Sequence, residues 1–176
     1  EETLAAQKAV ALARAGEADI PMKGLMQTSS YMRAILNKET GILPEGRVLS
    51  ECTAFEYPDQ GWMMFVTDYA VNITPGLEEK KQIALNAAEL ARKFGVETVK
   101  VAALAPLEKV NPKIPSTVEA QELASMYWPE GMVVEGPFAL DNAVDLEAAR
   151  HKGIASQVAG QADVLLCAAL GMGNVI

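Results

Sequence analysis

A lysine, a glycine and three consecutive hydroxyl residues stand close together in Lys23-Gly-Leu-Met-Gln-Thr28-Ser29-Ser30, and Arg33 follows. Cations and hydroxyls at this spacing suit a phosphate or another small anion. Residues 18–22, with Ala18, Ile20 and Met22 apolar, read as a buried strand ending at Lys23, and Gly24 permits the turn after it. Thr28, Ser29 or Ser30 is expected to cap a helix that carries Arg33 and ends near Asn37. The first amides of a helix lack intrahelical partners and carry partial positive charge, so an anion binds there readily. Lys23, Gly24, Thr28, Ser29 and Arg33 are therefore the first candidate site residues. The simpler alternative is a capped helix after a strand, with both cations solvated.

A second set of candidates lies where apolar runs open into polar residues. Residues 62–67 are nearly all apolar and lead into Thr67-Asp-Tyr-Ala-Val-Asn72, which makes Asp68 and Asn72 candidates. In an open α/β sheet such residues sit at the carboxyl edge, where ligands bind; local turn hydrogen bonds by Asp68 are the competing reading. Residues 131–135 deliver Glu135-Gly-Pro-Phe-Ala-Leu-Asp141-Asn142 in the same way, and Asp141 is the candidate there. Glu108 and Lys109, in a loop stiffened by three prolines, are read either as a pair at the site or as solvated charges. The single histidine, His151, is explained by a position near a helix end. Cys52 and Cys167 lie in apolar runs and read as reduced core residues. With no Cys-x-x-Cys, His-Glu-x-x-His or acidic calcium loop, no metal site is expected.

The elements that must position these residues follow from periodicity and punctuation. Residues 2–15 predict a helix stopped by Gly16. Residues 38–47, with Gly41, Pro44 and Gly46, predict a loop or lobe boundary. Residues 48–55 and 62–67 predict antiparallel strands joined by a turn over 56–61. Residues 77–94 predict a packing helix capped by Thr74, with Ile83, Ala84, Ala87, Ala88, Leu90, Ala91 and Phe94 on its apolar face. Residues 98–105, 131–135 and 162–169 predict further buried strands. Ser116 with Glu119 predicts a capping box for a helix reaching Tyr127, and Asp145 is expected to cap another running to about His151. Alternating helices and buried strands imply a three-layer α/β sheet.

With 176 residues, half of them hydrophobic, the chain can bury a real core. A net charge of -8 without clustered Lys or Arg argues against a nucleic-acid surface. No apolar run approaches the roughly 18 residues that cross a bilayer, and no signal peptide is read, so a cytoplasmic location is expected. The chain has no initiator methionine, opens inside a helical pattern and stops after a strand, which is expected of a piece of a longer protein.

Five stretches, in order, resemble the phosphate acetyl/butyryltransferase family, its butyryl branch in particular. They are Lys23-Gly-Leu-Met-Gln-Thr-Ser29 with Met32-Arg-Ala-Ile-Leu36, Val66-Thr-Asp-Tyr-Ala-Val-Asn72, Glu108-Lys-Val-Asn-Pro-Lys-Ile-Pro115, Glu135-Gly-Pro-Phe-Ala-Leu-Asp-Asn142, and Val158-Ala-Gly-Gln-Ala-Asp163 with Gly173-Asn174. The resemblance implies two α/β lobes like those of isocitrate and isopropylmalate dehydrogenases, residues 1–40 being part of the first lobe and 41–176 an incomplete second lobe. It implies acyl transfer between acyl-CoA and phosphate, with coenzyme A as substrate and no bound cofactor, in a homo-oligomer. Arg33 would help bind phosphate or coenzyme A, and the edges near Asp68, Asn72, Asp141 and Asn174 would line or support the cleft. The family's catalytic Ser-Arg and aspartate stretch is expected beyond residue 176 and its first strand before residue 1, so the piece alone is expected to be inactive. Cys167-Ala-Ala-Leu-Gly-Met departs from the family's usual proline and acidic residue before Gly173-Asn174. Alternatives are a non-catalytic coenzyme A or phosphate-binding member of the fold and a related decarboxylating dehydrogenase-like enzyme.

Overall fold

A computed structural model describes residues 1–57 and 61–176. The chain divides into two compact units, Glu1–Val48 and Leu49–Ile176.

In the first unit, α1 (Glu2–Arg14) contacts α2 (Thr28–Ile35), and Ala6, Val10, Ala34 and Ile35 are the buried apolar residues. Small and β-branched residues one turn apart on α1 give it a narrow apolar stripe. Arg14 crosses to the turn after α2, donating to the carbonyls of Glu39 and, at 3.2 Å, Gly41. Asn37 Oδ1 holds the same turn by accepting from the Glu39 and Thr40 amides at 2.9 and 2.8 Å. The strand expected over residues 18–22 is absent: the segment is irregular, with Ile20 81% and Met22 88% exposed. A strand is stable only when its backbone is paired, and the described residues of this unit contain no strand to pair with it. The Tyr31 hydroxyl instead donates to the Pro21 carbonyl.

The second unit is built on a five-stranded sheet in the order β1-β2-β5-β3-β4. Its strands are β1 (Thr53–Tyr57), β2 (Trp62–Thr67), β3 (Val99–Leu104), β4 (Met132–Phe138) and β5 (Val164–Leu166). β1 runs antiparallel to β2, with Thr53 opposite Val66, and the other pairings are parallel. The turn expected over residues 56–61 falls in part on 58–60, outside the described residues, and 56 and 57 belong to β1. Parallel neighbours need crossover connections; these are α3 (Leu77–Lys93), α4 (Pro115–Ala124), and the pair α5 (Leu140–Val144) and α6 (Leu146–His151). A short α7 (Leu170–Gly173) follows β5.

Alternation along the strands divides the core. Met64, Val66, Ala102, Leu104 and Leu165 form one buried cluster with Ala143 of α5 and Ala149 of α6. The intervening residues, among them Phe65, Val101, Ala103 and Val164, serve the opposite side, where α3 lies against β2, β3 and β5, and α4 against β3 and β4. Four alanines of α3, Ala84, Ala87, Ala88 and Ala91, are wholly buried, so the helix seats close to the sheet. Phe94 is 55% exposed yet meets Phe65 edge-on at 5.6 Å, and the expected apolar face otherwise holds except that Leu90 is only half-buried. Gly136 lets β4 approach its neighbours, since a Cβ there would press on Ala103 of β3 at 2.9 Å and Ala120 of α4 at 3.3 Å.

Several helix starts differ from the sequence expectation. The N-cap of α3 is Gly76, not Thr74, and Glu79 reaches back to accept from the Gly76 amide at 2.7 Å. α4 starts on Pro115 after Ile114, and Glu119 leaves no capping box with Ser116 because its carboxylate pairs with Lys80 of α3. α4 also stops at Ala124, short of Tyr127. Asp145 does cap α6, accepting from Glu147 and Ala148 at 2.8 and 3.2 Å.

Candidate functional site

At the start of α2 the cap is Gln27, and no side chain closes the first turn. Thr28, Ser29 and Ser30 are inside the helix rather than ahead of it, so the expected hydroxyl cap is corrected. Glu2 of α1 stands there instead, its carboxylate accepting from the Gln27 amide at 3.2 Å. A helix start that already attracts a carboxylate has the polarity anions seek. Ser29 and Arg33 are four residues apart, hence on one face of α2, and both are exposed. Lys23 turns back on its own loop, donating to the carbonyls of Gly24 and Met26 at 3.3 and 3.1 Å. Gly24 is exposed, and a Cβ there would meet nothing within 4 Å.

The second unit gathers its candidates at the carboxyl edge of the parallel strands. Asp68, directly after β2, is 2% exposed and accepts four hydrogen bonds. These come from the amides of Ala70 and Val71 at 2.9 Å each, the Asn72 amide at 3.3 Å and Asn72 Nδ2 at 2.6 Å. Asn72 Nδ2 also donates to the Leu49 carbonyl at 2.9 Å. Such a carboxylate is fully engaged in shaping residues 68–72. Asn174, the C-cap of α7, ties that loop to α7 by donating to the Tyr69 carbonyl at 3.0 Å. Gly173 makes the approach possible, because a Cβ there would collide with Tyr69 Cβ.

Around this loop the chemistry is acidic and half-dry. Thr53 Oγ1 bonds Glu51 Oε1 and the Tyr69 hydroxyl, while Glu51 Oε2 is buried without a partner among the described residues. Cys52 and Cys167 flank Thr67, one just before β1 and the other just after β5. Both are free cysteines. Burial pushes the Cys52 thiol up to about 12, with the Glu51 and then the Asp68 carboxylates adding to it. The Cys167 thiol is likewise pushed up to about 12 by burial, then Asp68, then Glu51.

Asp141 lies in the first turn of α5 and pairs with Lys152 at 3.2 Å. Lys152 also reaches Glu108 at 3.7 Å, so the partner of Glu108 is Lys152 rather than its neighbour Lys109. Sequence reasoning missed Lys152, because its contacts with Glu108 and Asp141 join positions far apart in the chain. It missed equally the Lys80–Glu119 pair, in which Lys80 is 4% exposed at its side chain. Asn142, next to Asp141, is wholly buried with neither side-chain polar atom partnered among the described residues. Among those residues, no group of three or more His, Cys, Asp and Glu is arranged to hold a metal ion, and no helix is long and apolar enough to cross a membrane.

The chain is a mixed α/β fold with a mostly parallel five-stranded sheet and polar loops at its carboxyl edge. It is similar to the crystal structure of a branched-chain phosphotransacylase from Enterococcus faecalis V583, with a TM-score of 0.91 and 35% identity, over 99% of this chain and 63% of that one. The chain belongs to the Phosphate acetyl/butaryl transferase family, whose family model matches residues 2–176. It is 43% identical over 175 residues to the phosphate butyryltransferase of Clostridium acetobutylicum, covering 98% of this chain and 58% of that protein. It is 47% identical over 162 residues to a probable phosphate butyryltransferase of Bacillus subtilis, covering 90% of this chain and 54% of that protein. The chain thus spans about half the length of these relatives.

Proposed function

We propose that the protein carrying this chain exchanges a short acyl group, of butyryl or acetyl type, between coenzyme A and phosphate. The observation that carries this reading is the family match over residues 2–176. In the forward direction a phosphate oxygen attacks the thioester carbonyl carbon and the carbonyl electron pair moves onto oxygen. The tetrahedral oxyanion then collapses, the carbon–sulfur bond breaks, and coenzyme A leaves as a thiolate that takes up a proton. The reaction needs two bound substrates held in line, and positive charge or amide donors at the phosphate and the oxyanion.

In this proposal Arg33, with Ser29 and Thr28 beside it, binds phosphate or the phosphates of coenzyme A, and Lys23 and Gly24 shape the approach. Arg33 suits the task because its planar guanidinium matches a phosphate edge. Asp68, Asn72 and Asn174 support the carboxyl edge of the sheet, and Asp141 borders it. Cys52 and Cys167 stay protonated at neutral pH, which favours direct transfer over an acyl-cysteine intermediate on these thiols. The finer architecture belongs to the same proposal: a three-layer sandwich like those of isocitrate and isopropylmalate dehydrogenases, with residues 1–40 in one lobe and 41–176 in the other. So do a cytoplasmic, homo-oligomeric enzyme and chemistry without a bound cofactor or metal.

The test is to supply the protein that carries this chain with butyryl-CoA and phosphate and to follow free thiol and acyl phosphate together. Equal amounts of both products, lost on replacing phosphate by sulfate, support the reading. Thiol release without acyl phosphate would mean simple thioester hydrolysis and would overturn it.

A further inference from the structure

The carboxyl edge contains a crevice of about 400 Å³ that none of the polar candidates lines. Its walls include Leu104, Ala105 and Pro106, at and after the end of β3, Ala139 and Leu140 after β4, and Met172 of α7. β3 and β4 are parallel neighbours whose chains leave in opposite directions. After β3 the chain passes to α4, on the side shared with α3. After β4 it passes to α5, whose Ala143 belongs to the cluster on the other side. The crevice therefore opens at a switch point of the sheet, the position where open α/β sheets bind ligands.

The lining selects what can enter. Every wall residue named is apolar; the charged residues nearest in sequence are Glu108, Lys109 and Asp141, and both carboxylates are already paired with Lys152. An apolar lining offers a phosphate no side-chain donor and leaves an uncharged hydrocarbon as the group that gains from burial. We propose that this crevice receives the acyl chain of the acyl-CoA substrate, and that Leu140 and Met172 set the chain length accepted. The proposal rests on the acyl-transfer reading above and names the part of the substrate that this edge recognises. Each methylene buried there is worth about fourfold in affinity, so butyryl exceeds acetyl by about 15-fold.

The experiment is a methyl NMR titration of the protein that carries this chain, labelled with carbon-13 at Leu and Met methyls, with free CoA, acetyl-CoA, butyryl-CoA and hexanoyl-CoA. The expected result is that butyryl-CoA moves the Leu140 and Met172 resonances, that free CoA leaves them in place, and that affinity rises about fourfold per methylene from acetyl to butyryl. Leu140→Trp, which fills the crevice, is expected to erase that gain, and the chain-length series on the unaltered chain stands even if this variant misfolds. Equal movement of both methyls by free CoA would assign the crevice to the pantetheine arm and overturn the proposal. Binding of all four compounds with one affinity would overturn it too while leaving acyl transfer intact. Failure of every CoA compound to bind would count against both.

Discussion

Arg33 is exposed on a helix whose buried residues are Ala34 and Ile35, so its removal disturbs little packing. Arg33→Ala in the active protein is expected to raise KM for phosphate by about 10- to 100-fold, the worth of one charge-assisted pair. Thermal unfolding should move by no more than a surface substitution allows, about 0.5 kcal/mol. A matching loss of stability would assign Arg33 to the fold instead. The two thiols give a prediction of the opposite kind. Their ordinary value of 9.0 is raised in the folded chain to about 12. Between those values the folded state holds the more protons, so their contribution to stability is fully present below about pH 9 and is lost as pH rises toward 12. At pH 8 a thiol-specific disulfide reagent should label neither cysteine quickly in the native chain and both after denaturation; fast native labelling would contradict the acid-flanked setting of the half-buried Cys52 and the buried Cys167. These roles were only partly legible in the sequence. Asp68 and Asn72 were marked by their place after an apolar run, but four donors converging on one carboxylate is a property of the folded loop.

At the level of elements, α3 and α4 are joined by the Lys80–Glu119 pair across the side of the sheet they share. Glu119→Ala leaves an ammonium 4% exposed without its carboxylate. The expected cost is about 2–3 kcal/mol, below that of a fully buried pair because Glu119 is itself 37% exposed. Lys80→Met, which removes the buried charge and keeps the volume, should be close to neutral. Urea denaturation of the two variants checks the ordering, and the reverse ordering would mean that Lys80 has another essential partner. The helices themselves were readable from apolar spacing, as α1 and α3 demonstrate. Their starts were less so, because any nearby hydroxyl or acid satisfies the pattern and the choice is made by tertiary contacts: Glu2 reaches the start of α2, and Lys80 draws Glu119 away from Ser116. Residues 18–22 illustrate the same limit for strands, since an apolar run specifies a strand only where another strand can pair with it.

For the whole chain, a net charge of -8 works against the proposed substrates, coenzyme A and phosphate, which are themselves anions. Any affinity must come from short-range donors working against a repulsive long-range field. The association rate of CoA should therefore rise severalfold as ionic strength goes from about 0.01 M to about 0.15 M, where the screening length contracts from about 30 Å to about 8 Å. Stopped-flow binding measures this directly, and a rate that falls with salt would reveal a cationic approach path the total charge conceals. The alternation of buried strands and helices was enough to anticipate a mixed α/β sheet. It did not give the strand order, because β5 lies between β2 and β3 although it comes last in the chain.

That insertion also dictates a sequence of events in time. Until residues 164–166 arrive, the β1–β2 and β3–β4 pairs have no strand between them, so a chain emerging from the ribosome can form at most two half-sheets, each with an open edge and too few strands to be stable alone. The three residues of β5 then join both halves at once, pairing with β2 on one side and β3 on the other. Stability should accordingly appear in a single late step, not strand by strand. Arrested nascent chains ending at Ala162 should exchange their β2 and β3 amides freely, while chains with Leu166 already outside the exit tunnel should protect both together. Separate protection of β2 before β5 is available would mean that the hairpin folds alone.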